Sequence, residues 1–228
     1  MGSLHQSPSM QIGGAGLRSD PAREADHRIA NHLAMLAGHV RLEASKLRQG
    51  AESYSHDEVK LILERLRAQV LAIADLHRAL GLSPGRKIDL AEHLSRVARG
   101  IALGCSDRVI LHLEMEEGCA VAPDAALASA QIVSEAMMNA IKHAKPAGEW
   151  VRLVVRCWRD GPEVIRVEVA DDGRGFDGSE VNSSRLGLRL IRGLARSANG
   201  HADFVSGRGG FRVRVRLDDQ PMLERRLC

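Results

Sequence analysis

Aromatic side chains are nearly missing from this chain, with three Phe, two Trp and one Tyr among 228 residues. That leaves no stacking platform for single-stranded nucleic acid. Charge of one sign is also scarce. The formal net charge is +3, and the Lys and Arg are interspersed with Asp and Glu. Such a pattern reads as a solvated surface rather than a basic patch, so nucleic acid is not expected as a partner. The four cysteines, Cys105, Cys119, Cys157 and Cys228, include no pair at metal-ligand or redox spacing. Scattered thiols fit a reducing compartment, and the expected location is cytoplasmic. No apolar run approaches the ~20 residues that span a bilayer. The N-terminus lacks a charged-then-apolar leader pattern. Membrane insertion is therefore not expected, and a sensing module is expected on a separate protein. What is present, 44% hydrophobic and 27% charged residues, suits one large or two small globular domains.

Residues 1–20 are rich in Gly, Ser and Pro without periodicity, and read as a flexible tail. Asp20-Pro21 offers a cap followed by Pro at a first helical position. Ile29, Leu33, Leu36, Val40 and Leu47 then recur at helical spacing up to Gly50. A second helix is predicted from about Asp57 to Leu80. Its Val59, Ile62, Leu66, Val70, Ile73, His77 and Leu80 alternate steps of three and four, a heptad seam. Two such helices make an antiparallel hairpin. One hairpin cannot cover both apolar stripes, so two are expected to pair as a homodimeric four-helix bundle. Residues 21–82 form this first unit. Gly81 to Gly85 breaks the pattern, residues 83–87 read as the linker, and residues 219–228 as a solvated tail.

Between them, residues 88–218 interleave helices and strands. Helices are predicted over Leu90–Gly104, Pro123 to about Ala144, and Gly187–Ala198. Strands are predicted over Arg108–Leu113, Val151–Cys157, Val164–Ala170, Ala202–Val205 and Arg212–Leu217. The fold class is α+β: a helical hairpin followed by a two-layer α/β sandwich.

Four segments of this second unit carry chemistry. Residues 134–144 read Ser-Glu-Ala-Met-Met-Asn-Ala-Ile-Lys-His-Ala, which puts Glu135, Asn139, Lys142 and His143 on one side of a helix. An amide oxygen together with nucleotide phosphates is an ordinary Mg²⁺ site. Residues 166–176 are an alternating strand running into Asp171-Asp172-Gly173-Arg174-Gly175. The strand delivers a carboxylate to a sheet edge, and the glycines leave bare backbone where a ligand can approach. Gly187-Leu188 opens an apolar helix whose N–H groups can face an anion. Ser206-Gly207-Arg208-Gly209-Gly210-Phe211 is a Gly-rich turn between the last two strands.

In this order the segments resemble the N, G1, G2 and final glycine boxes of the Bergerat-type ATP-binding fold of histidine kinases, gyrase, Hsp90 and MutL. The resemblance implies ATP and Mg²⁺ as cofactors. It implies that Asp171 holds the adenine amino group, that Gly173, Gly175, Gly187 and Leu188 admit the nucleotide, and that Asn139 ligates Mg²⁺. Glu135 would position or activate the reacting groups, and Lys142 and His143 would meet the phosphates. Phe211 stands where the family commonly has Thr or Ser, so its ring either fills part of the pocket or stacks on the base. Asp26-His27-Arg28-Ile29-Ala30-Asn31-His32-Leu33 resembles the phosphoacceptor motif of the HisKA-2/HWE-like histidine kinases. This implies phosphorylation of His27, then transfer to an Asp of a response-regulator receiver domain. A neutral imidazole is a competent nucleophile toward phosphorus. Arg28 suits a phosphate oxygen, and Asp26 or Glu24 could take the imidazole proton. Two alternatives stand beside the kinase: a histidine phosphotransferase with a degenerate ATP domain, and a non-catalytic interaction module.

Overall fold

The computed structural model describes residues 55–81, 87–105, 108–146, 149–175 and 186–218, with scattered positions between Ala30 and Ser45 that are helical. Four helices follow: α1 (His56–Gly81), α2 (Leu90–Gly104), α3 (Pro123–His143) and α4 (Leu186–Ser197). The strands are β1 (Ile88–Asp89), β2 (Val109–Met115), β3 (Ala120–Val121), β4 (Val151–Arg159), β5 (Val164–Asp171), β6 (Gly200–Gly207) and β7 (Gly210–Asp218). Five strands form one sheet in the order β2-β4-β5-β7-β6, in which β2 and β4 are parallel and the other neighbours antiparallel. The predicted α+β class is the observed one. The short β1–β3 pair had no signal in the sequence, since two residues are too few to show an alternation.

Local chemistry sets the helix starts. Ser55 and Glu58 form a reciprocal cap on α1. The Ser55 N–H donates to Glu58 Oε2, and the Glu58 N–H donates to Ser55 Oγ, both at 3.2 Å. Asp89 caps α2 by accepting from the Glu92 N–H at 3.0 Å. Pro123 opens α3, where its missing N–H costs nothing.

One face of the sheet packs on the helices. Leu153, Val155, Val167, Val169, Val213 and Val215 point inward against Leu94, Ile101, Ile132, Met137 and Ile191. The other face is charged in register. Glu114, Arg156, Glu168 and Arg214 are successive Cα partners across β2, β4, β5 and β7, with alternating sign. Arg156 grips Glu114 through two bonds of 2.6 and 2.9 Å and donates to Glu168 at 2.7 Å. Arg214 closes on Glu168 at 2.6 Å, so the arginines bury this carboxylate. Burial pushes Glu168 upward, but the bonds from Arg214 and Arg156 outweigh it and hold the carboxyl below the usual glutamate range.

Glu168→Gln keeps the shape and loses the charge. It is expected to cost about 1–3 kcal/mol at neutral pH. A depressed carboxyl stabilises above its unfolded pKa and loses that contribution as pH falls through the folded one. The gap between variant and parent in urea titrations should therefore close in acid.

Helix α1 carries two working faces. Ala68, Gln69, Ala72 and Ile73 are buried, and Ala68, Ala72 and Ile73 belong to the same core as α2, α3 and the sheet. The two alanines let α1 lie close on α3. On the far side, Val59, Leu63 and Val70 are 41, 60 and 46% exposed, a stripe of large apolar residues on one helical face. The heptad seam of the sequence straddles these two faces: Val59 and Val70 point outward, while Ile73 is buried. The side chains of His77 and Leu80 lie outside the described residues.

Candidate functional site

The four chemistry-bearing segments meet at the end of the sheet where β5 runs out and β7 begins. Asp171, the last residue of β5, is half-buried, and its Oδ1 accepts two backbone N–H bonds. Gly173 donates at 2.8 Å and Phe211 at 3.2 Å. The carboxylate is thereby fixed between the Asp-Asp-Gly turn and the first residues of β7. Among the described residues, Oδ2 receives no bond. Burial pushes the Asp171 carboxyl above its ordinary range, with Asp172 adding to the shift and the two N–H donors opposing it.

The glycines are placed by contact. A Cβ on Gly173 would stand 2.5–2.7 Å from Ala144, at the end of α3, and the Arg174 N–H donates to the Ala144 carbonyl at 3.2 Å. A Cβ on Gly175 would meet the Gly207 carbonyl at 2.4 Å. A Cβ on Gly187 would fall 2.4 Å from Glu135 Oε1 and 3.0 Å from Asn139 Nδ2. So α3 touches both the β5 turn and the start of α4, and the β5 turn touches the β6–β7 turn. These contacts join all four segments into one concave corner, and they leave no room for side chains at Gly173, Gly175 or Gly187.

Within that corner Glu135 is buried and Asn139 half-buried. Asn139 Nδ2 donates to Glu135 Oε1 at 3.2 Å. This turns the amide nitrogen toward the carboxylate and leaves its carbonyl oxygen as the outward end. A hard cation takes such an oxygen, so the residues present fit Mg²⁺ bound together with phosphates. Lys142 and His143 are exposed on the last turn of α3, and Leu188 is buried beneath the start of α4. The Phe211 ring already has an aromatic partner. It is buried and stacks on Phe204 with centroids 6.0 Å apart, and the Arg192 guanidinium lies 4.8 Å from the Phe204 centroid.

Glu135, Asn139, Asp171, Gly173, Gly175, Gly187 and Leu188 thus come together as the sequence grouped them. His27 lies outside the described residues, as do Glu24, Asp26, Arg28, His32 and the segment 176–185. Two residues at the site were not expected. Arg65 of α1 reaches Glu135 at 3.6 Å, and Glu58 reaches Lys142 at 3.5 Å. The available signal was a shared spacing of opposite charges, seven residues apart on both helices.

No helix among the described residues is long and apolar enough to cross a membrane. Among the same residues, no group of three or more His, Cys, Asp or Glu could hold a metal by itself.

Comparison with known proteins gives two family matches. Residues 24–103 match the HisKA_2 histidine kinase family, and residues 125–221 match the histidine kinase-, DNA gyrase B- and HSP90-like ATPases. Blue-light-activated histidine kinase 2 of Erythrobacter litoralis is 28% identical over 200 residues, covering 86% of this chain and 55% of that protein. The sensor histidine kinase PdtaS of Mycobacterium tuberculosis is 30% identical over 178 residues, covering 75% of this chain and 34% of that protein. The chain therefore spans about half the length of the first relative and a third of the second. The solved histidine kinase domain of the Erythrobacter litoralis blue-light kinase shares the fold, with a TM-score of 0.63 at 24% identity, covering 87% of this chain and 91% of that one. The two family matches follow one another along the chain, phosphoacceptor type first and ATPase type second, and the chain belongs to the HisKA_2-type histidine kinases.

Proposed function

We propose that this chain autophosphorylates His27 from Mg·ATP and passes the phosphoryl group to an Asp of a response-regulator receiver domain. The reading is carried by the fixed Asp171 carboxylate at the corner where α3, α4 and the two Gly turns meet. Asp171 Oδ2 accepts the adenine amino group, while Gly173 and Gly175 let the base and sugar lie against backbone. The N–H groups at Gly187 and Leu188 face the phosphates from a helix start, and Lys142 and His143 approach them from the end of α3. Asn139 offers its amide oxygen to Mg²⁺, beside the Glu135 carboxylate. Magnesium, when bound, draws charge from the phosphate oxygens and eases departure of ADP.

His27 attacks the γ-phosphorus with its unprotonated ring nitrogen. A P–N bond forms, and the P–O bond to ADP breaks. The proton on the other ring nitrogen passes to a carboxylate, for which Glu135, Asp26 and Glu24 are the candidates. The exposed stripe of Val59, Leu63 and Val70 supports pairing of two hairpins, so the kinase acts as a homodimer.

Incubation with γ-labelled ATP and Mg²⁺ tests this. Acid-labile, base-stable label is expected on the parent and absent from His27→Gln. Asn139→Ala should lose labelling from ATP yet still accept phosphate on His27 from a phosphorylated regulator. Label that survives His27→Gln would overturn the assignment. Uptake from a regulator alone would make the chain a phosphotransferase.

A further inference from the structure

The turn that carries Asp171 is fastened to the rest of the corner through the residue next to it. Asp171 is the Cα partner of Leu153, so Asp172 comes to lie beside Arg152 near the start of β4. There its Oδ1 accepts the Arg152 N–H at 2.9 Å. Its Oδ2 lies 3.4 Å from Lys145 Nζ, just past the end of α3. The same stretch accepts the Arg174 N–H on the Ala144 carbonyl at 3.2 Å, and a Cβ on Gly173 would overlap Ala144. Successive carboxylates thus grip different neighbours. Asp171 holds β7 through the Phe211 N–H, and Asp172 holds β4 and the end of α3. The other bond to Asp171 Oδ1, from the Gly173 N–H, lies within the turn. Where Oδ2 points therefore depends on where the turn sits, and Asp172 fixes that.

The same two groups set the electrostatic field at Asp171. Asp172 pushes the Asp171 carboxyl up, and Lys145 pulls it down. From β4 and β7 the turn receives main-chain N–H groups, those of Arg152 and Phe211. The other titratable groups of the corner, Glu135, Lys142 and His143 on α3, are common to every variant used below.

We propose that Asp172, with Lys145 as its counter-ion, is the positioning residue of the adenine-reading carboxylate. It locks the β5 turn onto β4 and the end of α3 so that Asp171 Oδ2 faces the nucleotide. The proposal rests on the role given above to Asp171.

Three substitutions separate the geometry of Asp172 from its charge. Asp172→Ala removes the acceptor of the Arg152 N–H and frees the turn. It should weaken binding of a fluorescent Mg·ATP analogue at neutral pH about tenfold, the worth of a hydrogen bond to a charged acceptor. Asp172→Asn keeps a carbonyl oxygen for that N–H and loses only a partly exposed ion pair, so neutral affinity should stay within about twofold of the parent. Its negative charge is gone, however. The Asp171 carboxyl then stays ionised to lower pH, and the fall of affinity in acid should begin at lower pH than in the parent. Lys145→Met leaves the charge of Asp172 unopposed, and the same fall should begin at higher pH. Titration of the nucleotide itself is common to all and cancels in the comparison. A merely structural brace would leave both acid limbs where the parent has them. If Asp172→Ala fails to fold by circular dichroism, the Asn and Met variants still decide. Parent affinity in folded Asp172→Ala, or acid limbs in Asp172→Asn and Lys145→Met that coincide with the parent or move the other way, would overturn the assignment while the ATP site stands. If Asp171→Asn binds the analogue like the parent with the same acid limb, the reading of the site fails and takes the role of Asp172 with it.

Discussion

Asp171→Asn is expected to weaken Mg·ATP binding about 10²-fold or more and to leave the fold in place. The asymmetry follows from the two oxygens. Oδ1 accepts N–H bonds from Gly173 and Phe211 at 2.8 and 3.2 Å. An Asn carbonyl oxygen can keep both bonds, so the β5 turn and the start of β7 stay tied. Doing so forces the amide NH₂ into the position of Oδ2. There a donor would face the donor of the adenine amino group. A bond to a charged acceptor, about 1.5–3 kcal/mol, is lost, and a mismatched buried pair adds about 1–3 kcal/mol. At 1.4 kcal/mol per decade, roughly 3–5 kcal/mol is about two to three and a half decades in affinity. Calorimetric titration with ATP and Mg²⁺ measures the loss, and urea unfolding should show that stability is little changed. The carboxyl of the parent also titrates above the ordinary aspartate range, because burial disfavours its charge. Protonation removes an acceptor, so affinity in the parent should fall as pH drops through that raised value, earlier than for an unperturbed aspartate. A variant that binds Mg·ATP like the parent would remove Asp171 from the adenine site.

Residues whose chemistry is local were legible in the sequence. The alternation of Val167, Val169 and Asp171 announced a strand ending in a carboxylate. The spacing of Glu135 and Asn139 put them on one helical face, and they are hydrogen-bonded at 3.2 Å. What the sequence could not supply was the partner of each face. Helix α1 showed one heptad seam, and nothing in its periodicity says that Ala68 and Ala72, one turn apart, mark a second contact face on α3. Small residues carry little hydrophobic signal, although they decide how closely two helices approach. The ladder of Glu114, Arg156, Glu168 and Arg214 likewise depends on strand order. Only the β2-β4-β5-β7 arrangement turns four scattered charges into one alternating row. Phe211 was legible as a departure from the usual residue but not in its consequence. Its backbone N–H serves Asp171, while its ring is taken up by Phe204.

Gly210→Ala is expected to destabilise the chain by about 3–5 kcal/mol, whereas Gly209→Ala next to it should change stability by less than about 0.5 kcal/mol. Gly210 has a φ of +109°, and a Cβ built there lies 1.9 Å from the Asp171 carbonyl oxygen and 2.7 Å from its carbonyl carbon. A Cβ on Gly209 meets nothing within 4 Å. The backbone conformation alone costs about 1–3 kcal/mol for a residue with a side chain, and the overlap adds a similar amount. Relief by a flexible side chain is not available, since the nearest atoms are main chain of β5, held between β4 and β7. The start of β7 must move away from β5 instead. That movement would pull the Phe211 N–H from Asp171 Oδ1, the bond that orients the carboxylate. Two measurements should therefore change together in Gly210→Ala: the urea midpoint falls, and the fraction that still folds binds Mg·ATP far more weakly than the parent. In Gly209→Ala both should stay at the parent values. Loss of stability with nucleotide affinity intact would show that the β7 start and the Asp171 carboxylate are not coupled, and the adenine contact would then have to rest on another residue.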